Sequence, residues 1–407
     1  MRPAALLLCL ASALCVHTYG ATDPAWPGPD HWGDLPDAEY QVFMEREIVT
    51  TIPVSQNPRG VVFAFHGCLQ YVTEFGFKSA SCPNCHGTPE MMTLVWKFVK
   101  SGYAVVAMSA RRGGDQWRCY ETRWPPEEWQ ELPGIIRVIR HFLRERRWWH
   151  LPRYTFGSSS GGVIALELPL RFPFQAAMSM LLGFRSEILD SEDALEPRNL
   201  HNGATWPYPP VMIMRILDDE KDVVERCNKT IEVMAERGVN VSEWVIRPYP
   251  LSETFFAERL RGCDLVCSAE VYARLRDADI IDARGFSKWH KCENCWDRTY
   301  EKAKTALWDI FPTWEDDHYD RYFKEMMWAS LGAHDTTAQH ADAIIDFYEA
   351  AARKSEVPAH EDHPSFSERY SSDSASAAHA KQLSEQPGAA ILAEPRRRHH
   401  RHRLQIR

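Results

Sequence analysis

The sequence lacks several features that assign a chain to common protein classes. After its first twenty residues it has no apolar run of the roughly 20 residues that a helix needs to span a bilayer, so no membrane span is predicted there. It also lacks a basic excess: 47 Lys and Arg stand against 56 Asp and Glu, and the net charge of −9 disfavours a nucleic-acid partner. No internal repeat is present, so a repeat architecture is not predicted.

The N-terminal residues and the cysteines both indicate export. Arg2, the apolar run Ala4–Val16 and the small Gly20 are typical of a signal peptide, which we expect to comprise residues 1–20. Two of the eleven cysteines, Cys9 and Cys15, lie in this segment and leave nine. In an oxidising compartment most should pair, and an odd number leaves at least one free or intermolecular. We therefore predict a secreted protein or one of the secretory-pathway lumen.

Two Cys-x-x-Cys pairs admit other chemistry. Cys82–Cys85 and Cys292–Cys295 together match a zinc site of four thiolates, and each alone matches a thioredoxin-like redox motif. Because export favours oxidation, we expect disulfides instead: Cys68 with Cys119, and local pairs elsewhere.

Strand and helix patterns alternate from about residue 60 to 250, which is typical of a mostly parallel sheet flanked by helices. Strands are predicted at Glu47–Val54, Val61–Phe65, Tyr103–Met108, Tyr154–Phe156, Ala176–Leu182, Val211–Leu217 and Trp244–Tyr249. Helices are predicted at Met91–Lys100, Pro126–Arg146 (or from Pro133), Gly161–Leu170, Asp222–Arg237 and Asp342–Ala352. The fold class is therefore α/β.

One domain over residues 21–355 accounts for this pattern, with an irregular lead-in at 21–44. The segment 251–328 is helical, aromatic and holds four cysteines, so we expect a cap insertion there, either a lid over an acyl group or a packed helical cap. Residues 356–407 are predicted to be disordered, with a solvated basic run at Arg396–Arg403. Two sequons, at Asn228 and Asn240, would carry glycans in the lumen.

The strongest chemical motif is a G-x-S-x-G match at Gly157–Gly161, centred on Ser159. Such a motif needs a serine on a tight turn between a strand and a helix, where flanking glycines let the backbone pass closely. A strand pattern precedes it and a helix pattern follows, which predicts Ser159 as a nucleophile rather than part of a flexible Ser/Gly loop.

A second motif, His66–Gln70, follows a buried strand, where an acyl-transfer enzyme needs backbone N–H donors for an oxyanion. We assign these donors to Cys68 or Leu69, with the Ser160 N–H as the other donor. An ordinary turn after a strand is the alternative, and His66 itself is expected to be structural.

An acid and a base should follow the serine in chain order. Three aspartates follow the strand that ends near Leu217: Asp218, Asp219 and Asp222. The usual strand-then-loop pattern favours Asp219, whereas Asp222 suits the start of a helix. The candidate bases are His290, His318, His334 and His340. We favour His334, because its loop directly precedes the last predicted helix.

This ordering resembles the α/β-hydrolase superfamily over about residues 45–350. The His-Gly-Cys-x-Gln turn with Cys119 is similar to secreted esterases of the polyhydroxybutyrate depolymerase and feruloyl esterase type. The run Ser81–Glu90, with the Gly-Ser-Ser-Ser-Gly-Gly elbow, looks more like a little-characterised plant and algal hydrolase group. The resemblance implies Ser159, Asp219 and His334 as catalytic residues; the segment 251–328 is not typical of the depolymerases.

The predicted activity is hydrolysis of a small-molecule or polymeric carboxylic ester through an acyl-enzyme, with no metal and no organic cofactor required. A serine peptidase or amidase on the same fold is one alternative. A catalytically silent hydrolase fold that acts as a secreted binding module is a second, and a redox protein using the Cys-x-x-Cys pairs is a third.

Overall fold

A computed structural model describes residues 35–354 of this chain, apart from 112–118, 121–130, 192–194, 196–197, 200–204, 218, 261–262, 289–295 and 312–316. The predicted signal peptide and basic tail lie outside these residues. The described strands are β1 (Glu39–Phe43), β2 (Arg46–Thr51), β3 (Gly60–Phe65), β4 (Tyr103–Met108), β5 (Arg153–Ser158), β6 (Ala176–Met180), β7 (Arg198–Asn199), β8 (Thr205–Trp206), β9 (Val211–Ile216) and β10 (Val241–Ile246).

Eight of these strands form one sheet in the order β1-β2-β4-β3-β5-β6-β9-β10, and β7 pairs with β8 in a separate short ribbon. In the large sheet β2 is antiparallel to both of its neighbours, β1 and β4, and every other pairing is parallel. With helices connecting the parallel strands, this architecture confirms the predicted α/β class and the α/β-hydrolase fold.

The central strands are continuous apolar runs because helices cover both faces of the sheet. In β3 the side chains of Val62 and Ala64 lie in the apolar cluster that includes helix residues 91–99 and 344–351. Those of Val61, Phe63 and Phe65 lie in a second cluster with helix residues 132–143. The period of two along the strand therefore divides the core into two layers on opposite faces.

The described helices are α1 (Pro89–Lys100), α2 (Glu131–Glu145), α3 (Ser160–Glu167), α4 (Ser186–Leu189), α5 (Lys221–Glu236), α6 (Leu265–Asp277), α7 (Trp296–Leu307), α8 (Asp317–Ser330) and α9 (Ala341–Lys354). Single 3-10 turns lie at Val72–Phe75 and Leu168–Leu170. None of the helices that the structure describes combines the length and the apolar character that a membrane crossing requires.

The prediction of an irregular lead-in is wrong for residues 39–43, which form β1. This edge strand pairs with β2 in a hairpin whose two connecting residues, Met44 and Glu45, have φ angles of 50° and 62°. Such turns usually carry Asn or Gly, and neither is present here. The strand also leaves much of its surface exposed, so it lacks the apolar alternation by which strands are recognised. The sequence therefore gives no local signal for this hairpin.

The segment that we predicted as a cap contributes α6, α7 and most of α8 and has an apolar cluster of its own. This cluster runs from Leu251 to Met327 and includes Phe256, Leu275 and Tyr322. The α8 helix also reaches the main domain, because the Tyr322 hydroxyl donates to the His86 carbonyl and Thr88 donates to Glu325 over 2.7 Å.

The described cysteines form three disulfides, as predicted: Cys68–Cys119, Cys82–Cys85 and Cys263–Cys267. Cys82 and Cys85 are thus bonded to each other, and the Cys292–Cys295 pair lies outside the described residues. Cys227 is free and buried, as the odd number of cysteines anticipates. Burial raises the pKa of its thiol to about 12, so this thiol stays protonated and poorly reactive at neutral pH.

Candidate active site

Ser159 lies at a sharp turn between β5 and α3, where its φ of 51° and ψ of −118° are unusual for a residue with a side chain. A Cβ added to Gly157 would lie 2.1 Å from the Gly161 carbonyl oxygen, and one on Gly161 would lie 2.3 Å from that of Phe65. The two motif glycines are therefore required by close backbone approach, and they hold Ser159 at the carboxyl end of the sheet.

Three sequence-predicted side chains meet at this turn. The Nε2 atom of His334 lies 3.1 Å from Ser159 Oγ, and its Nδ1 atom lies 2.7 Å from Asp219 Oδ2. Because a carboxylate only accepts hydrogen bonds, Nδ1–H donates to Asp219, and Nε2 is left to accept from the Ser159 hydroxyl. The hydroxyl, imidazole and carboxylate thus form one hydrogen-bonded chain. In the sequence His334 lies 115 positions from Asp219 and 175 positions from Ser159.

The electrostatic surroundings of His334 favour its protonated form. Burial alone lowers the pKa of the imidazole, but the hydrogen bond and negative charge of Asp219, with the charges of Asp335 and Glu220, outweigh it, so the net shift is upward. The side chain is 35% exposed while that of Asp219 is 4% exposed. An imidazolium that forms when His334 accepts a proton is therefore stabilised at this position.

The other acid and base candidates lie elsewhere or outside the described residues. Asp222 is exposed in the first turn of α5, as expected for a helix start. His340 packs against Trp244 with 5.2 Å between ring centroids, and burial lowers its pKa. His318 belongs to α8 but its side chain is not described, and neither Asp218 nor His290 is described.

The 66–70 turn, by which we mean His66–Gln70, follows β3 directly and lies against Ser159. The Gln70 N–H donates to the Gly67 carbonyl over 3.3 Å, and Leu69, in the third position of this β-turn, has a φ of 66°. A Cβ on Gly67 would lie 3.4 Å from the Ser159 Cβ. The backbone that carries the Cys68 and Leu69 N–H groups therefore passes beside the serine.

Two further features of this region bear on the predicted roles. Ser160 is the first residue of α3, where a backbone N–H has no acceptor within the helix. The buried His66 packs against Tyr120 with 5.0 Å between ring centroids, and its Nδ1 lies 2.7 Å from the Gly67 carbonyl oxygen. These contacts agree with a structural role for His66.

Gln70 is the last residue of the His66–Gln70 motif, and the sequence predicted no role for it. In the structure its side chain connects the 66–70 turn with the residues that follow His334. Its amide accepts from the Gly67 N–H over 2.7 Å and donates to Asp335 Oδ1 over 2.9 Å and Thr336 Oγ1 over 3.0 Å. Thr336 in turn donates to Ser158 Oγ over 2.9 Å. The residues that follow His334 are thus hydrogen-bonded both to the 66–70 turn and to the last residue of β5, directly before Ser159.

Several carboxyl groups lie beneath the site, which sequence reasoning did not identify. Burial raises the pKa of Glu74 to about 7 despite its pairing with Arg321. Burial also raises the pKa of Asp335 and of Glu325, and the negative charge of Asp335 raises the pKa of Glu325 further. Glu90 is fully buried and pairs with Arg259 over 2.8 Å. Arg321 and Arg259, which pair with Glu74 and Glu90, lie far from them in the sequence, so no local sequence pattern identifies this cluster.

No protein-family model matches the chain, and no curated protein matches it. Solved structures that it resembles include esterase PE8, which is 14% identical with a TM-score of 0.35 over 52% of this chain and 89% of that one. A thermostable esterase is 17% identical with a TM-score of 0.37, over 52% of this chain and 56% of that one. MGS-M1, an α/β hydrolase from a Medee basin deep-sea metagenome library, is 9% identical with a TM-score of 0.34, over 54% and 85%. These neighbours are esterases and α/β hydrolases, and the fold itself is established by the strand order given above.

Proposed function

We propose that the chain is a serine hydrolase that cleaves a carboxylic ester through an acyl-enzyme on Ser159. The observation that carries the proposal is the hydrogen-bonded chain from Ser159 Oγ through His334 to Asp219, with separations of 3.1 and 2.7 Å. A hydroxyl alone is a weak nucleophile, and an adjacent imidazole oriented by a carboxylate is the arrangement that activates it.

In the first half-reaction His334 Nε2 takes the hydroxyl proton while Ser159 Oγ attacks the ester carbonyl carbon. The negative charge passes to the carbonyl oxygen, and Asp219 stabilises the imidazolium. When the C–O bond to the alcohol breaks, His334 returns its proton to the leaving oxygen and the acyl group stays on Ser159. Water, deprotonated by the same imidazole, then releases the acid and restores the hydroxyl.

We assign the oxyanion donors to the Ser160 N–H and to that of Cys68 or Leu69. The approach of Gly67 to the Ser159 Cβ and the position of Ser160 at the start of α3 support this assignment. Preorganised N–H groups lower the barrier because they need no reorganisation when charge develops.

The activity test compares the full chain with Ser159→Ala on p-nitrophenyl acetate, p-nitrophenyl butyrate and the matching p-nitroanilides. We expect turnover of the esters, its loss in Ser159→Ala at an unchanged melting temperature, and wild-type rates in the exposed control Ser252→Ala. Ester turnover that survives Ser159→Ala would contradict the proposal. Comparable turnover of the anilides would favour the amidase alternative, and the absence of any turnover would favour a binding protein.

We further propose that the chain enters the secretory pathway as a glycoprotein after removal of residues 1–20. The three disulfides support an oxidising compartment, and the sequon residues Asn228 and Asn240 are both exposed. Expression in a eukaryotic host should give a secreted product whose mass falls on treatment with a peptide N-glycosidase. An intracellular product with intact residues 1–20 would contradict this proposal.

A further inference from the structure

The conformation of Leu69 needs support that its own side chain does not give. Its φ of 66° lies in the left-handed region, which favours Gly or Asn over a residue with a branched side chain. The side chain is 58% exposed, so core packing does not fix it. The contacts that fix the Leu69 backbone therefore determine how the N–H groups of the 66–70 turn are oriented toward Ser159.

A side chain from the predicted cap holds this backbone. The Arg321 guanidinium, on α8, donates to the Leu69 carbonyl oxygen over 3.2 Å from a position 252 residues along the chain. The same nitrogen donates to Glu74 Oε1, and the guanidinium lies 4.8 Å from the centroid of the Tyr71 ring. Three contacts with the segment 69–74 thus place one planar group at the turn.

The partner carboxylate is itself fixed. Glu74 is 1% exposed, and its Oε1 accepts the Tyr71 N–H over 2.9 Å within the 3-10 turn that follows the 66–70 turn. Because the Glu74 carboxylate is buried and hydrogen-bonded, it holds the Arg321 guanidinium in a fixed position beside the Leu69 carbonyl group. On the other side of the turn, Gln70 fastens the same backbone to Asp335 and Thr336.

We propose that Arg321 is a positioning residue, through which the cap holds the 66–70 turn in the conformation that serves the oxyanion. This inference rests on the proposed function and adds that the cap is an integral part of the active site rather than only a cover. Arg321 acts on Leu69, and Leu69 or Cys68 acts on the substrate oxygen.

The test is Arg321→Ala, assayed with p-nitrophenyl acetate in the absence and presence of methylguanidinium. Because Arg321 orients the turn and removes no N–H donor, we expect kcat to fall about 10- to 100-fold, less than the roughly 10²- to 10³-fold loss on removing a donor. KM should stay within about twofold, since ground-state binding does not use the oxyanion donors. The Arg321 side chain is 32% exposed, so millimolar methylguanidinium should enter the vacated position and restore part of the rate.

The matched control is Arg276→Ala, which removes an exposed arginine from the last turn of α6 in the same cap. It should keep the wild-type kcat and show no response to methylguanidinium, and methylammonium should not restore the rate of Arg321→Ala. Arg321→Lys retains the charge but not the planar fork, so it should fall between wild type and Arg321→Ala.

A wild-type kcat in Arg321→Ala, or a loss that follows the folded fraction and is not rescued, would overturn the inference. If Arg321→Ala does not fold, Arg321→Lys decides in the same way: a lower kcat at unchanged KM supports the inference, and a wild-type kcat overturns it. Failure of the proposed function is distinguishable, because then either the wild-type chain would not turn over the ester or Ser159→Ala would keep the wild-type rate.

Discussion

Replacing Gly161 by Ala tests whether the turn that carries Ser159 depends on close backbone contact. The added Cβ would lie 2.3 Å from the Phe65 carbonyl oxygen and 2.4 Å from that of His66, whereas real Cβ atoms essentially never approach within 3.0 Å. Both contacts are with backbone, at the junction between β3 and the 66–70 turn. The methyl group cannot be accommodated by rotation of a side chain.

The size of the effect follows from that overlap. The start of α3 and the end of β3 must separate by about 0.7 Å to reach the 3.0 Å limit. Overpacking a fitted interior costs about 1–3 kcal/mol of unfolding free energy, and we expect the upper end of this range because backbone must move. Because a misplacement of about 1 Å costs about 100-fold in rate, a displacement of this size between Ser159 and the proposed oxyanion donors should lower kcat by up to about 100-fold.

Urea unfolding and steady-state turnover of p-nitrophenyl acetate measure the two effects separately. Gly238→Ala is the matched control, since no atom lies within 4 Å of its added Cβ and only its φ of +75° is unfavourable. That control should lose about 1–2 kcal/mol of unfolding free energy and keep the wild-type kcat. Equal kcat values in Gly161→Ala and wild type would refute the argument from backbone contact.

Three further predictions follow from the site and its disulfide. Asp219→Asn should lower kcat about 10⁴-fold on p-nitrophenyl acetate, because a neutral amide does not stabilise the imidazolium and its N–H₂ group can donate to Nδ1 and so select the wrong tautomer, whereas Asp222→Asn, on the exposed start of α5, should keep the wild-type rate. Because the proposed base His334 can accept a proton only when unprotonated and its pKa is raised, kcat/KM should rise with pH and reach half of its maximum above pH 6.5; a midpoint at or below 6.5 would contradict the assigned surroundings. Replacing Cys68 and Cys119 together by Ser opens a 51-residue loop and should cost about 4 kcal/mol of unfolding free energy in a urea titration; a loss under about 1 kcal/mol would be inconsistent with this disulfide.

The parts of the fold that sequence predicts are those whose signal is local. β3 and β4 are fully buried on both faces, so their continuous apolar runs identify them, and their observed bounds lie within one residue of the predicted ones. The strand–turn–helix pattern around Ser159 is local in the same way. By contrast, β1 is defined by its pairing with β2, and its connecting residues Met44 and Glu45 are not turn formers.

The surroundings of the site depend on contacts between distant segments, which one sequence does not encode locally. Gln70 meets Asp335 and Thr336 across 265 and 266 positions, and Arg321 reaches Glu74 across 247. In the sequence Gln70 is an amide in a turn, Arg321 is an arginine on an aromatic helix, and Glu74 has the pattern of a surface acid. Only the folded chain shows that Glu74 is buried and that Arg321 touches the 66–70 turn.

The most direct test of the central claim is to capture the covalent intermediate and locate it. The full chain is incubated with a fluorophosphonate, digested, and analysed by peptide mass spectrometry, with His334→Ala as the comparison. We predict one adduct, on Ser159, whose formation slows by several orders of magnitude when His334 is absent. An adduct on any other residue, or equal labelling rates in the two proteins, would contradict the assignment of Ser159 as a nucleophile activated by His334.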